Sequence, residues 1–188
     1  MEIEPTQLPE VVILTPRRFG DDRGYFTETY NQRTLAETSV AAQFVQDNES
    51  KSFAVGTVRG LHYQLAPHGQ GKLVRVVHGS VLDVAVDLRI DSPTFGVHVA
   101  VELSATAGNQ LWIPEGFGHG FCTLEPDTVV AYKASGFYNQ PAERAVIFDD
   151  PELDITWPVA TADITLSAKD AAAPTLAEVR AAGDLPRR

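Results

Sequence analysis

The 188-residue chain has a single cysteine and no long apolar run. Because Cys122 has no second cysteine to pair with, a disulfide framework and a cysteine-based metal site are excluded, and its apolar neighbours predict a small buried side chain. No run of about 18 apolar residues predicts a membrane span. The N-terminal MEIEPTQLPE lacks the basic and then apolar pattern of a signal peptide. We therefore expect a cytoplasmic protein with no membrane partner.

Basic side chains are also scarce. Fifteen lysines and arginines stand against 25 acidic residues, which gives a formal charge of −10. A general nucleic-acid binder would carry a basic face, so nucleic acid is not an expected partner. A few local arginines and lysines can still hold a diphosphate inside an acidic protein. The length and the 44% hydrophobic content predict one globular domain over residues 1–188.

Helices that alternate with strands are missing as well. Short β-type runs separated by turn residues fill the chain from residue 11 to residue 150, which predicts an antiparallel sandwich or barrel. The period of two is clearest over residues 80–90. One face there carries Leu82, Val84, Val86 and Leu88. The other face carries Asp83, Ala85, Asp87 and Arg89. We expect the first face to be core and the second to be wet or to line a ligand site.

Two short helices are expected beside the strands. Thr34–Glu37 and Thr175–Glu178 both fit the capping box, in which a hydroxyl and a carboxylate satisfy free backbone donors. The second box predicts a C-terminal helix that ends near Gly183, with Pro186 beyond it.

The segment from Gly56 to Lys72 concentrates the groups that can do chemistry. Arg59 can hold an anion, His62 can move a proton near neutral pH, and Lys72 can stabilise a developing negative charge. Taken alone, His62 fits a histidine with a backbone partner inside a barrel. A strand interior would not tolerate the neighbouring cations unpaired, and a bound anion would explain all three together.

A second cluster reads PEGFGH over residues 114–119. Its P-x-G-x-x-H spacing resembles the second motif of cupin barrels, where the histidine joins an H-x-H pair in binding a metal. The matching first segment here is His62-Tyr63-Gln64, which lacks the second histidine. Because a metal needs about three or four protein ligands, His62 and His119 alone predict no metal site. The pair favours acid–base chemistry instead.

The chain resembles the dTDP-4-dehydrorhamnose 3,5-epimerase family in order from about residue 9 to residue 186. The matching segments are 21–31, 44–52, 58–64, 71–89, 92–96, 110–121, 149–158 and 166–170. The resemblance implies an all-β, cupin-like jelly-roll barrel with short flanking helices, including a C-terminal one. It implies a dTDP-4-keto-6-deoxy sugar as substrate, with C3 and C5 epimerised through enolates and with no cofactor or metal.

The resemblance also implies catalytic roles. His62 would be the base, Asp170 would orient and charge-stabilise its ring, Tyr132 would donate a proton on the opposite sugar face, and Lys72 would stabilise the enolate. Without the resemblance each has a plainer interpretation. Asp170 could cap the run that follows it, Tyr132 could be a core aromatic on an alternating strand, and Lys72 could be a solvated strand-end lysine.

Substrate-binding positions follow from the same resemblance. Arg59 and His119 match positions near the sugar and diphosphate, and Tyr138 matches an aromatic near the base. The remaining matches are Arg23, Phe26, Glu28, Gln46, Asn48, Glu143 and Lys169. Because some of these come from the other subunit in the family, the resemblance implies a homodimer with exchange at the active site. His68, His78 and His98 receive no role.

Other functions stay open at this point. A single-centre epimerase, acting at C3 or C5 only, would keep the fold and supply an unusual deoxysugar. A 3,4-ketoisomerase is more remote. From another class, a cupin-type binding or storage module would bind the ligand without proton exchange, and a metal-dependent dioxygenase would need a metal site.

Overall fold

The computed structural model describes residues 1–38, 40 and 42–187, and these form two facing antiparallel sheets. The six-stranded sheet has the order β1–β2–β10–β7–β12–β5: β1 (Glu2–Pro5), β2 (Val12–Thr15), β10 (Gln110–Ile113), β7 (Lys72–His78), β12 (Thr128–Ala134), β5 (Gln46–Ser52). The five-stranded sheet has the order β13–β6–β11–β8–β9: β13 (Glu143–Ala145), β6 (Val58–Gln64), β11 (Phe117–Thr123), β8 (Ser80–Asp87), β9 (His98–Ser104).

A hairpin and short helices complete the described chain. Among the strands of the described residues, β3 (Arg18–Asp21) and β4 (Gly24–Thr27) pair only with each other. The helices are α1 (Gln32–Ala36), α2 (Ala168–Ala171) and α3 (Leu176–Ala182), with short 3-10 turns at Gln140–Ala142 and Thr161–Asp163. The predicted all-β class with short helices is confirmed. That residues 1–188 form one domain stays a prediction.

An apolar core fills one part of the space between the sheets. It draws on alternate residues of both sheets, because successive side chains of a strand point to opposite faces. Its members include Val74, Val76, Val81, Ala85, Leu103, Phe117, Phe121 and Val130. The remainder of the interior is lined by polar side chains, and this is where the candidate site lies.

The outer face of the five-stranded sheet is covered by the C-terminal part of the chain. Leu176 and Val179 of α3 pack in one cluster with Leu61, Val84 and Val86. The face of β8 that the sequence marked as apolar is therefore core, as predicted. The opposite face was predicted to be wet or to line a ligand site, and the first of these alternatives does not hold for its acidic residues.

The acidic face of β8 is buried because the second sheet covers it. Asp83 and Asp87 have no exposed surface and Arg89 is 8% exposed. Asp87 Oδ1 accepts from Arg89 Nε, and Asp87 Oδ2 accepts from Arg89 Nη2, both at 2.8 Å. The hydroxyls of Ser92 and Thr94 also donate to Asp87 Oδ2. Pairing and hydrogen bonding make the burial of these charges tolerable.

The two predicted capping boxes have different outcomes. The first is wrong, because the Asn31 side chain accepts from the backbone N–H groups of Arg33 and Thr34 and so begins α1 three residues earlier. The second is confirmed: Thr175 N donates to Glu178 Oε2 at 2.8 Å, and Glu178 N donates to Thr175 Oγ1 at 3.3 Å. Helix α3 ends at Gly183, whose φ of 75° is left-handed.

Cys122 and the short helices bear on two smaller expectations. Cys122 is fully buried, as its apolar neighbours predicted. None of the helices in the described parts of the chain is long and apolar enough to cross a membrane.

Candidate active site

A cavity of about 350 Å³ opens between the two sheets and is lined by all four of the predicted catalytic residues. Strands of the five-stranded sheet contribute Arg59, His62, His119 and Phe121. Strands of the six-stranded sheet contribute Asn48, Glu49, Ser50, Lys72 and Tyr132. The short α2 region contributes Ser167, Lys169 and Asp170. The two sheets thus form opposite walls of one polar chamber.

A bulge in β6 explains how Arg59 and His62 reach the same chamber. Residues three apart on a regular strand point to opposite faces. Here His62 pairs with His119 while Arg59 pairs with Phe121, so three steps along β6 oppose two along β11. The extra residue returns both side chains to the interior face. Gly60 lies within this bulge with a φ of +127°.

His62 forms a hydrogen-bonded dyad with Asp170. The distance from His62 Nε2 to Asp170 Oδ1 is 2.6 Å. The second carboxylate oxygen accepts from Ser167 Oγ at 2.8 Å, and Ser167 Oγ in turn accepts from the backbone N–H of Asp170 as the N-cap of α2. Burial raises the pKa of Asp170, but the hydrogen bonds from His62 and Ser167 outweigh it and hold the pKa below its usual range. The carboxylate therefore stays charged and accepts from the imidazole.

Lys72 extends from β7 into the chamber and is 9% exposed. Its hydrogen bond to the backbone oxygen of His62 is long, 3.4 Å from Nζ. Burial lowers the pKa of Lys72 to about 8, against the attraction of Asp83 and Glu143. The ammonium consequently keeps donor capacity that a ligand oxygen can use.

His119 pairs with Asp83, which the sequence did not mark as a site residue. His119 Nε2 lies 3.0 Å from each oxygen of the Asp83 carboxylate. Burial lowers the pKa of His119, although Asp83 opposes this effect. The ring is accordingly neutral at neutral pH and donates from Nε2. The only sequence signal for Asp83 was its place on the polar face of β8.

Tyr132 stands on the wall opposite His62. It extends from β12, is partly buried against the interior core and lines the cavity. Burial raises the pKa of Tyr132, and the positive charge of Arg59 acts in the opposite direction. The guanidinium of Arg59 is fixed by hydrogen bonds to Ser52 Oγ at 3.2 Å and to the backbone oxygen of Lys51 at 3.0 Å. A neutral phenol thus faces the chamber near a fixed cation.

The other predicted binding residues on this side form a chain of contacts at the cavity rim. Gln46 Nε2 donates to Asn48 Oδ1 at 2.9 Å, and the Tyr138 backbone N–H donates to Gln46 Oε1 at 3.0 Å. The Tyr138 hydroxyl donates to Glu143 Oε2 at 3.0 Å, and Lys169 Nζ pairs with the same oxygen at 2.6 Å. The structure therefore brings these five residues together.

The predicted residues Arg23, Phe26 and Glu28 do not line this cavity. Arg23 and Phe26 lie on the β3–β4 hairpin, where Phe26 is 70% exposed and Arg23 pairs with Asp21. Within one chain, this hairpin therefore lies away from the cavity. Other aromatic residues of the hairpin, Phe19 and Tyr25, are exposed as well.

The two histidines of the site belong to a residue type that commonly binds metals. His62 and His119 are register neighbours on β6 and β11, each paired with a different aspartate. Within residues 1–38, 40 and 42–187, no group of three or more histidine, cysteine, aspartate or glutamate side chains is arranged to hold a metal ion.

Comparison with known proteins gives the family. The family model described as dTDP-4-dehydrorhamnose 3,5-epimerase matches residues 5–178. A Shigella flexneri protein named dTDP-4-dehydrorhamnose 3,5-epimerase is 51% identical over 85% of this chain and 88% of its own length. A Streptomyces niveus protein named dTDP-4-dehydrorhamnose 3-epimerase is 39% identical over 99% of this chain and 89% of its own length.

A solved structure extends the match to the fold. The Legionella pneumophila dTDP-6-deoxy-D-glucose-3,5-epimerase, solved with dTDP-4-keto-L-rhamnose, is 44% identical and superposes with a TM-score of 0.93. The match covers 100% of this chain and 98% of that one. The predicted cupin-like jelly roll is confirmed by this similarity. With a family model over most of its length and relatives at about half identity, the chain belongs to the dTDP-4-dehydrorhamnose 3,5-epimerase family.

Proposed function

We propose that this protein is an isomerase that epimerises C3 and C5 of dTDP-4-dehydro-6-deoxy-D-glucose, giving dTDP-4-dehydro-L-rhamnose through enolate intermediates. A ketone at C4 acidifies the protons on both neighbouring carbons, since the charge left by proton loss spreads onto oxygen. Such a reaction needs a base, an acid on the other face and a cation at the oxygen. All three can be protein side chains, so the proposed chemistry uses no cofactor.

The observation that carries the proposal is the placement of His62 and Tyr132 on opposite walls of one cavity. A sugar ring held between the sheets would present one face to the imidazole and the other to the phenol. Removal of a proton on one side and its return on the other inverts the carbon. A binding module would have no need for a charged dyad aimed at one face and a neutral acid at the other.

His62 is the proposed base. The carboxylate of Asp170 can only accept, so the hydrogen of the imidazole lies on Nε2 and the lone pair lies on Nδ1. When Nδ1 takes a proton from C3 or C5, the ring becomes a cation, and Asp170 at 2.6 Å stabilises it. This dyad also fixes the orientation of the ring.

Lys72 is the proposed partner of the enolate oxygen. Its ammonium lies in a desolvated chamber, where electrostatic attraction to a developing negative charge is stronger than in water. Because the hydrogen bond from Lys72 Nζ to the His62 backbone oxygen is long, little must be broken when the oxygen arrives. The N–H groups of Lys72 can therefore donate to the enolate oxygen as its negative charge develops.

Tyr132 is the proposed proton donor to carbon. Transfer from its hydroxyl to the enolate carbon leaves a phenolate, whose charge Arg59 would stabilise. Each inversion therefore moves one proton onto His62 and takes one from Tyr132, and exchange with solvent restores both groups. This balance predicts that the returning hydrogen comes from water.

The remaining contacts are proposed to hold the nucleotide diphosphate. Arg59 and His119 would lie nearest the sugar and diphosphate, and the rim formed by Gln46, Asn48, Tyr138, Glu143 and Lys169 would surround the nucleotide. We propose a homodimer in which Arg23, Phe26 and Glu28 from the hairpin of one subunit complete the cavity of the other. The exposed aromatic residues of the hairpin support this arrangement. A cytoplasmic location also remains a proposal.

A single-centre epimerase is the second candidate, because the Streptomyces niveus relative carries that name. Its identity of 39% is lower than the 51% of the Shigella flexneri 3,5-epimerase, which favours inversion at both centres.

The deciding experiment is proton NMR of dTDP-4-keto-6-deoxyglucose with the protein in heavy water. We expect loss of both the H3 and the H5 signals and formation of the doubly inverted sugar. Loss of one signal would replace the proposal with a single-centre epimerase. An absence of exchange would overturn epimerase activity and leave a ketoisomerase, if the carbonyl moves, or a binding module, if only binding is seen.

Two variants test the assigned roles. His62→Ala should abolish exchange in a folded protein, whereas His78→Ala, which removes an exposed histidine outside the cavity, should leave it unchanged. Retained activity in His62→Ala would contradict its role as the base. Tyr132→Phe should impair inversion more than proton loss, since the base remains. An equal loss of both would show that Tyr132 does not act only as the proton donor.

A further inference from the structure

Asp83 is a fully buried carboxylate for which the proposed reaction has no role. It lies on β8 with no exposed surface, and both of its oxygens face the same atom, His119 Nε2, at 3.0 Å. A buried carboxylate is costly unless its charge is compensated. A neighbouring group is therefore expected to compensate the charge of Asp83.

His119 does not supply that charge. Burial lowers the pKa of His119, so the ring is neutral at neutral pH and gives Asp83 a hydrogen bond without a positive charge. Phe121, the register neighbour of Asp83 on β11, is apolar. Neither of these β11 residues therefore brings a positive charge to Asp83.

Lys72 carries the complementary charge from the opposite wall. It is 9% exposed, against 0% for Asp83 and 6% for His119, and among the described residues no carboxylate forms an ion pair with it. Its attraction to Asp83 thus acts through space, where the low dielectric makes it strong. The charged and titratable groups that line or adjoin the cavity with Lys72 are Asp83, His119, His62, Arg59, Tyr132, Glu49, Glu143, Lys169 and Asp170.

We propose that Asp83 is a positioning residue that keeps the Lys72 ammonium protonated inside the cavity and thereby available to the enolate oxygen. The proposal rests on the proposed function only in its last step; the charge coupling itself belongs to the free protein. The pKa of Lys72 supports it, because burial lowers this pKa and Asp83 is the largest of the opposing influences. Hydrogen bonding by His119 fixes the carboxylate in place for this task.

The direct test is the titration of Lys72 by NMR in the full chain. The chain has only four lysines, so 13Cε-labelled lysine gives few signals, and Lys72→Met assigns the relevant one. We expect Lys72 to titrate near pH 8 in the unmodified protein. In Asp83→Asn, which keeps the shape and an acceptor for His119, the titration should move down by about one pH unit. An unchanged Lys72 titration would overturn the proposal.

Asp47→Asn is the matched control. It removes a carboxylate that pairs with another lysine, Lys133 at 2.9 Å, on the exposed side of the sheet. The Lys72 signal should titrate as before in this variant. A shift as large as that in Asp83→Asn would show that any lost carboxylate acts on Lys72, and the specific proposal would fail.

A reciprocal measurement covers the case in which Asp83→Asn does not fold. The charge of Lys72 lowers the pKa of His119, so Lys72→Met should raise it. The titration of the His119 ring proton reports this change without any substrate. An unchanged His119 titration would show that the Lys72 charge does not reach the Asp83–His119 pair, and would overturn the proposal.

The catalytic consequence has its own signature. If Lys72 must be protonated, the alkaline limb of kcat for H3 and H5 exchange moves to lower pH in Asp83→Asn, with about a fivefold loss at pH 8 and a smaller one at pH 6. A merely structural role would lower the rate equally at every pH. If the unmodified protein exchanges neither proton, the proposed function fails while the NMR titrations still decide the coupling.

Discussion

Gly60→Ala tests whether the bulge in β6 is what places the catalytic groups. A Cβ at Gly60 would lie 2.5 Å from the Gly120 Cα and 2.6 Å from the His119 backbone oxygen, where ordinary contacts begin at 3.4 Å. Both neighbours are backbone atoms, so β11 must move by nearly 1 Å to make room. The residue would also keep a φ of +127°, which side-chain-bearing residues rarely adopt.

The cost can be divided into two parts. The unusual φ is worth about 1–3 kcal/mol for alanine. Forced overpacking adds about 1–3 kcal/mol. The expected loss of about 2–6 kcal/mol is a large share of the ~5–15 kcal/mol by which domains are stable. Movement of β11 relative to β6 also shifts His119 against His62, and a misplacement of about 1 Å lowers catalysis roughly 100-fold.

Gly24→Ala provides the matched control. Gly24 has nearly the same φ, +132°, but no atom lies within 4 Å of its ideal Cβ. It should therefore show only the first cost. Urea unfolding of both variants, with H3 and H5 exchange rates measured in parallel, separates the two parts. Equal stability of the two variants, together with full exchange activity in Gly60→Ala, would refute the close approach of β6 and β11 as the reason for glycine at this position.

Three further predictions concern charge. Asp170→Asn keeps the shape of the dyad but removes the negative charge that stabilises the protonated His62 ring and the acceptor-only carboxylate that fixes its tautomer. In the exchange assay kcat should therefore fall by about 10³–10⁴-fold while the fold is retained, and a loss below tenfold would contradict the dyad. Lys72→Met should raise the free energy of unfolding at pH 7 by about 2 kcal/mol in urea titrations. The reason is that the pKa of Lys72 in the fold, about 8, lies below the ordinary 10.5, so protonated lysine is disfavoured in the fold. Lower stability of the variant would show that the attraction of Lys72 to its ion partners outweighs the cost of its burial. Burial raises the pKa of Asp87, but hydrogen bonds from Arg89, Ser92 and Thr94 outweigh this and hold it at about 2, below the ordinary 3.8. The ionised carboxylate should therefore stabilise the fold by about 2–3 kcal/mol, fully above pH 4 and no longer once the pH falls through 2. Asp87→Asn should be less stable than the unmodified chain at pH 7, and the two should be closest in stability at low pH. A difference in the free energy of unfolding that does not change with pH would contradict this.

The alternation of residue types predicted the strands well because it is a local property. The period of two over residues 80–90 identified the face that packs against α3, and the capping box at Thr175–Glu178 identified the start of that helix. Where two local solutions compete, the pattern failed. Thr34–Glu37 fits a capping box, yet Asn31 caps α1 instead, and nothing within the motif decides between them.

The chemistry available to His62, Lys72 and Arg59 could also be predicted from residue type. A shared bound anion was expected to bring these three together, whereas the pairing of His62 with Asp170, 108 residues away, was implied only by the family resemblance. Asp83 shows the limit most clearly. Its position on the polar face of β8 indicated water or ligand, but the second sheet covers that face and turns the carboxylate into a buried charge.

The sequence by itself determined the strand periodicity, the caps of the last helix and the kinds of acid, base and cation that are present, because each depends on neighbours a few residues apart. Only the tertiary structure decided which of these groups share a chamber and which wall each occupies. The bulge at Gly60, the packing of two sheets and the resulting loss of water set those outcomes. Burial and through-space charge are properties of the assembled barrel, and they lower the pKa values of Lys72 and His119 from those of free side chains.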